Sequence, residues 1–203
     1  PKTVFTRDNG VAVNGGMIIS RMGPVGKDPG TGRRGEEAFV ARKVVELGMP
    51  ILRTIHGCGL FEGGSFAFLN ETHAVIGMSF RQNEEAAQQI EEVLKLQGVK
   101  LIRVPLIGHS LHIDGAIVMV AQDLALINIT RLPYWFLDKL KELKIRYLEI
   151  HHADKWGVIN CLAMKPGKVL MAINNGEGTA ERLMKNGVEV IGIDYSEIEK
   201  NGG

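Results

Sequence analysis

An α/β fold assembled from repeated ββαβ units is what the sequence predicts, and three recurring patterns predict it. Paired apolar runs with a polar or glycine-containing break between them occur four times. Each pair is followed by a stretch with helical spacing of apolar residues, and each such stretch by a third short apolar run. The units start near residues 11, 66, 116 and 161, roughly 50 residues apart, a period that marks a repeat architecture. A generic α/β domain with coincidental spacing is the alternative, against which the fourfold recurrence of the same element order speaks.

The hairpins come first in each unit. They are read over Val11–Ser20, Phe66–Ser79, Ala116–Ile129 and Cys161–Asn174, with breaks at Asn14-Gly15-Gly16, Asn70-Glu71, Gln122-Asp123 and Pro166-Gly167; short polar interruptions between apolar runs are the hairpin signature. Apolar residues at helical spacing then predict helices over Glu36–Leu47, Glu84–Leu96, Pro133–Leu143 and Thr179–Lys185. Glu36, Glu37, Glu84 and Glu85 place negative charge at the positive end of a helix dipole, Pro133 suits a first turn, and Gly48, Gly98 and Gly187 suit C-terminal caps. The third runs, Pro50–Ile55, Val99–Pro105, Ile145–Ile150 and Val188–Ile193, complete the units as strands.

Composition sets the limits of function. With 203 residues, 45% hydrophobic and 23% charged, the chain is an ordinary globular sequence, neither disordered, collagen-like nor membrane-spanning. It is read as a single domain over 1–203 that needs no disulfide or metal staple. Lys+Arg 24 against Asp+Glu 23 leaves a net charge of +1, and no block of like charges offers the footprint of a nucleic-acid binder, so a small partner is expected. Two cysteines, Cys58 and Cys161, make no disulfide framework, and no signal pattern opens the chain; a reducing cytoplasm is the default. The chain starts at Pro1 and stops at Asn201-Gly202-Gly203, so both ends read as truncated.

Polar residues gather at one phase of the repeat. The segments that lead into successive units carry Phe5-Thr6-Arg7-Asp8, Phe61-Glu62-Gly63-Gly64 and His109-Ser110-Leu111-His112-Ile113-Asp114. Equivalent positions converge when repeats are arranged around an axis, which would bring three carboxylates and a histidine together. Converging carboxylates favour a cationic ligand, and a histidine among them has its charged form favoured and can move protons near neutral pH. Taken singly, Asp8 could be a turn residue, Glu62 a solvated loop acid and His112 a core histidine; only their shared phase joins them.

The motifs Phe5-Thr6-Arg7-Asp8, Arg33-Arg34-Gly35-Glu36, Glu62-Gly63-Gly64, Ser79-Phe80-Arg81-Gln82-Asn83 and His112-Ile113-Asp114, in that order and spacing, resemble the guanidine-modifying amidinotransferase superfamily, the pentein β/α-propellers. Arginine deiminases, dimethylarginine dimethylaminohydrolases and glycine amidinotransferases belong to it. The resemblance covers essentially the whole chain and implies a pentein fold of five ββαβ units, four of them present here, with one missing in front. It implies that Asp8 and Asp114 hold guanidinium nitrogens, that Glu62 binds the guanidinium and orients the site, and that His112 is the general acid/base. Arg33 and Arg81 match positions that contact a substrate carboxylate, with Phe5 beside the substrate; both arginines could instead be solvent-facing, and Arg34 could take the place of Arg33.

The resemblance also implies a cysteine nucleophile shortly after a C-terminal Gly-Gly, beyond Gly203. Cys161, which opens the fourth hairpin, is expected in the core, and Cys58 is expected to be incidental. The expected activity is hydrolysis at the guanidinium carbon of an arginine-like substrate through a covalent cysteine intermediate, giving a ureido product plus ammonia or an amine. An amidinotransferase and a non-catalytic pentein binding module are the alternatives. Ser65 stands where many members have an acid after Gly-Gly, and Lys2 where dimethylarginine-cleaving members often have one, which leaves the substrate open; His112-Ile113-Asp114 leans towards the deiminases. No cofactor and no metal are expected: His151-His152 with Asp154, and His56 with Cys58, lack the spacing of a zinc site. The partner is a small guanidino substrate, not nucleic acid or membrane, with homo-oligomerisation open. Gly23–Gly35, which holds Lys27 but no phosphate-binding pattern, is expected to form a mobile flap. Tyr134-Trp135-Phe136 is expected to pack on a neighbouring unit.

Overall fold

Four sheets of three strands, each with the same internal order, make up the fold. The computed structural model describes residues 4–23, 33–108, 110–174 and 176–200. Lys2, Lys27, most of the expected flap, His109 and the terminal Asn201-Gly202-Gly203 lie outside the described residues.

The strands are β1 (Gly10–Val13), β2 (Gly16–Ile19), β3 (Ile51–Thr54), β4 (Phe66–Asn70), β5 (His73–Met78), β6 (Lys100–Pro105), β7 (Ile117–Ala121), β8 (Leu124–Ile127), β9 (Arg146–Glu149), β10 (Leu162–Lys165), β11 (Lys168–Ala172) and β12 (Glu189–Ile193). The helices are α1 (Glu36–Glu46), α2 (Glu84–Lys95), α3 (Tyr134–Glu142), α4 (Glu177–Lys185) and the short α5 (Ser196–Glu199). The sheets run β1-β2-β3, β4-β5-β6, β7-β8-β9 and β10-β11-β12. Where the register is defined, the hairpin pair is antiparallel and the strand after the helix is parallel to the second hairpin strand. This follows from the sequence order, because a parallel neighbour needs a crossover and the helix supplies it.

The turns sit close to where the polar breaks predict them. Val13 pairs with Gly16 across Asn14-Gly15, with Gly15 at φ 82°. In the second hairpin the break moves to Glu71-Thr72, since Asn70 is still in β4. The first four helices all end alike. Gly48 (φ 76°), Gly98 (φ 72°) and Gly187 (φ 81°) take the left-handed residue after α1, α2 and α4, and Lys144 (φ 58°) takes it after α3. A left-handed residue there lets the last carbonyls find donors: Ile145 N donates to Leu140 O at 2.9 Å and Val188 N to Leu183 O at 3.0 Å. α4 starts two residues before the expected Thr179, because the Asp154 carboxylate accepts from Gly178 N (3.3 Å) and Thr179 N (2.6 Å). That cap is distant in sequence. α5 was not expected at all.

By contacts the chain falls into two units, Pro1–Phe66 with Glu71–His112, and Ala67–Asn70 with Ile113–Gly203. In the first, Ile18, Ile19, Met22, Ile55, Phe61, Ile76, Ile90 and Leu94 are fully buried. α2 contributes Ala86, Ile90, Val93 and Leu94 to burial, whereas α1 buries no residue. In the second, Val118, Val120, Leu126, Val169, Met171 and Leu183 cluster with Ile159 and Cys161; Cys161 is thus a core cysteine, as expected. Of Tyr134-Trp135-Phe136 only Phe136 is buried, while Tyr134 and Trp135 are exposed: the aromatic triplet straddles the helix rather than lying on one face. No helix among the described residues is long and apolar enough to cross a membrane.

Candidate active site

Two tight turns in the first unit set the geometry. Thr6–Asn9 forms a 3-10 turn leading into β1, and Gly63–Ser65 forms another leading into β4. A side chain on Gly63 would run into the carbonyl oxygens of Arg7 and Gly10; glycine therefore lets the two turns come together. Asp8 in the first turn and Glu62 just before the second are brought to the same place, and both are buried.

His112 completes the group. Its Nε2 lies 2.7 Å from Glu62 Oε2 and its Nδ1 3.6 Å from Asp8 Oδ1, so the imidazole is held between two carboxylates. Each carboxylate also has an arginine. Arg81 Nη1 donates to Glu62 Oε1 at 2.6 Å, and Arg33 Nη1 donates to Asp8 Oδ2 at 2.5 Å. Arg33 in turn donates from Nε (3.1 Å) and Nη2 (2.9 Å) to Glu36 Oε2 and from Nη2 to the Phe5 carbonyl (3.1 Å), with its guanidinium carbon 5.9 Å from the Phe5 ring centre. Arg81 lies over Phe80 at 5.2 Å. Both guanidinium groups are buried, where charge-assisted bonds are strongest and unpaired charge is most costly.

The electrostatics follow from these contacts. Burial by itself would push the Glu62 carboxyl up; the hydrogen bond and charge of His112, then those of Arg81, outweigh it and hold Glu62 below the ordinary carboxylate value. Burial would likewise lower Arg33, but its bonds to Glu36 and Asp8 raise it above the ordinary arginine value. The site thus keeps Glu62 ionised in a place largely shut off from water.

Of the residues expected from sequence, the first unit brings together Phe5, Asp8, Arg33, Glu62, Arg81 and His112. Asp114 is buried in a 3-10 turn, Ile113–Gly115, of the second unit. Between the two candidate arginines the structure distinguishes clearly: Arg33 is in the cluster, while Arg34 is exposed and donates to the Met22 carbonyl at 3.3 Å. Glu36, read from sequence as a helix-dipole residue and as the end of the Arg33-Arg34-Gly35-Glu36 motif, proves to be a second carboxylate on Arg33. Donor atoms of Asp8, Glu62 and His112 lie within 4.8 Å of one another and could hold a metal ion, a grouping that a search by ligand spacing along the chain does not find. Asp8 and Glu62 also each accept one arginine N–H, from Arg33 and Arg81.

Comparison with known proteins agrees with the fold and with the family resemblance. YkgA of Bacillus subtilis (strain 168), a protein described as uncharacterized, is 26% identical over 204 residues, covering 100% of this chain and 67% of that protein. The dimethylarginine dimethylaminohydrolase of Pseudomonas aeruginosa, solved with citrulline, superimposes with a TM-score of 0.81 at 25% identity, covering 100% of this chain and 73% of that one. The N-terminal domain of ArgZ, an arginine dihydrolase from the cyanobacterial ornithine–ammonia cycle, shares the fold with a TM-score of 0.82 at 20% identity, covering 100% of this chain and 72% of the other. The arginine deiminase family model matches residues 1–130, the stretch that carries all of the clustered residues. The chain is therefore a member of the arginine deiminase family and of the pentein superfamily to which that family belongs.

Proposed function

We propose that the protein is a hydrolase acting at the guanidinium carbon of an arginine-like substrate. The observation that carries this reading is the convergence of Asp8 and Glu62 on His112, each carboxylate already accepting a guanidinium N–H from the protein itself. An ionised carboxylate has about four acceptor positions, so Asp8 and Glu62 keep capacity for a second guanidinium, that of the substrate. Asp114 is assigned to the same role, as the resemblance implies. Arg33 and Arg81, with Phe5 beside them, are the groups for the substrate's carboxylate end.

The nucleophile is assigned, as the resemblance implies, to a cysteine thiolate beyond Gly203; Cys161 is enclosed in an apolar core, and Cys58 matches no position of the family pattern. The thiolate forms a bond to the guanidinium carbon; protonated His112 gives its proton to the leaving nitrogen as the C–N bond breaks, releasing ammonia or an amine and leaving a thiouronium. Neutral His112 then takes a proton from water as the water oxygen attacks, the C–S bond breaks to return the thiolate, and the hydroxyl proton passes to water, leaving a ureido product. Glu62, bonded to Nε2, stabilises the imidazolium in both steps.

The test is product analysis with the full-length protein. Incubation with arginine and with dimethylarginine should yield citrulline together with ammonia or dimethylamine, and His112→Ala should lower the rate by about 10²–10⁴-fold, the usual worth of general acid–base catalysis. A new guanidino compound formed from an added amine would instead identify an amidinotransferase. Undiminished turnover in His112→Ala would remove His112 from the mechanism, and binding without turnover would mark a non-catalytic module.

A further inference from the structure

A buried polar cluster lies directly behind the site, one residue along the chain from each of two of its members. Gln82 follows Arg81, Leu111 precedes His112, and Ser65 ends the turn that begins after Glu62. Gln82 and Ser65 are almost wholly buried. With its amide nitrogen turned to the acceptors around it, Gln82 donates to Ser79 Oγ (2.7 Å) and to the Leu111 carbonyl (3.1 Å), with the Gly77 carbonyl also near at 3.2 Å, while its oxygen accepts from Ser65 Oγ (3.0 Å). Ser79 Oγ accepts from Arg81 N at 3.1 Å and passes its own hydrogen to the Leu111 carbonyl at 2.8 Å. Ser65 N is bonded to the Glu62 carbonyl at 3.0 Å.

We infer that Gln82, acting with Ser79 and Ser65, is a positioning residue that fixes the Leu111 carbonyl and thereby the His112 imidazole against Glu62. Three chain segments that carry Glu62, Arg81 and His112 meet at this one amide. Side-chain amides and hydroxyls are costly to bury unless their bonds are made, so the cluster has one low-energy arrangement and passes it to the backbone it grips. Leu111 is the last residue before His112, and a carbonyl held by two donors limits the peptide rotation that would swing the ring away from Glu62 Oε2. The inference rests on the role given to His112 above.

The test uses Gln82→Leu, which keeps volume and removes the bonds, and Ser79→Ala, which removes a single donor to the Leu111 carbonyl. Two readouts are needed, both on the full-length protein. The first is turnover: kcat should fall about tenfold or more while KM stays within about twofold, the signature of a misplaced acid/base group. The second is the titration of the Glu62 side-chain carbon by NMR, which needs no substrate. The charged groups facing Glu62 are His112 and Arg81, with Asp8 and its partner Arg33 on the far side of the imidazole; loss of the His112 contact should move the Glu62 midpoint up towards the ordinary carboxylate value in both variants. Should Gln82→Leu fail to fold, Ser79→Ala alone decides. A folded variant with kcat and the Glu62 midpoint both unchanged overturns the positioning role. A shifted midpoint in a protein that turns over no guanidino compound supports the positioning role and overturns the proposed function instead.

Discussion

Replacing Arg81 by methionine should expose how much of the site is held by charge. The Glu62 side chain is 0% exposed and its two charged partners are Arg81 at 2.6 Å and His112 at 2.7 Å. Stripping one partner from a buried ion pair costs about 3–5 kcal/mol when nothing else compensates. Here His112 remains, and methionine also removes the Arg81 Nε hydrogen, which is buried without an acceptor among the described residues; each such orphaned group costs about 1–3 kcal/mol. The expected net loss is about 2–3 kcal/mol at pH 7. Arg53→Met, at the open Arg53–Glu92 pair (29% and 61% exposed), should cost no more than about 1 kcal/mol. Because the folded Glu62 value lies below its unfolded one, its contribution is complete above the unfolded value and disappears as the pH falls through the folded value. Arg81→Met raises the folded value, so the gap between variant and parent should be largest near neutrality and close on acidification. Urea unfolding followed by far-UV circular dichroism measures this. Tryptophan fluorescence would report on the wrong part, since Trp135 and Trp156 both lie in the second unit, and guanidinium chloride would compete for the carboxylates. A loss below about 1 kcal/mol that does not vary with pH would refute the reasoning, since it would place the pair among ordinary surface ion pairs.

Two further outcomes concern the backbone. Lys144 occupies the left-handed position (φ 58°) that glycine holds after α1, α2 and α4, so Lys144→Gly should stabilise the protein by about 1 kcal/mol, read as a higher urea midpoint. Gly63→Ala sets a methyl group against the Arg7 and Gly10 carbonyl oxygens and should push the two turns apart; binding of guanidinium or of an arginine analogue, followed by calorimetry, should weaken by about tenfold or more as Asp8 and Glu62 separate.

The repeat was legible because its information is local. Asn14-Gly15, Gln122-Asp123 and Pro166-Gly167 turn where they stand in the sequence, and Gly48, Gly98 and Gly187 end helices by their own conformational freedom. The start of α4 was misplaced by two residues because its cap, Asp154, lies outside the helix's own stretch. α1 has apolar residues at helical spacing yet buries none of them; spacing reveals a face but not what covers it. In the site, Asp8, Glu62 and His112 could be joined because they share one phase of the repeat. Gln82 could not be recognised in that way. Its importance comes from the partners that three separate segments bring to it, and no single stretch of sequence displays that.

The bare face of α1 also governs how the protein behaves as a material. Phe39, Val45 and Leu47 are each more than half exposed, and Met49 and Leu52 in and beside β3 add to the same stretch of chain. Sulfate and other excluded salts strengthen apolar burial, whereas urea weakens it. Rising sulfate should therefore salt these 203 residues out early and reversibly, with Phe39→Glu raising the salt needed.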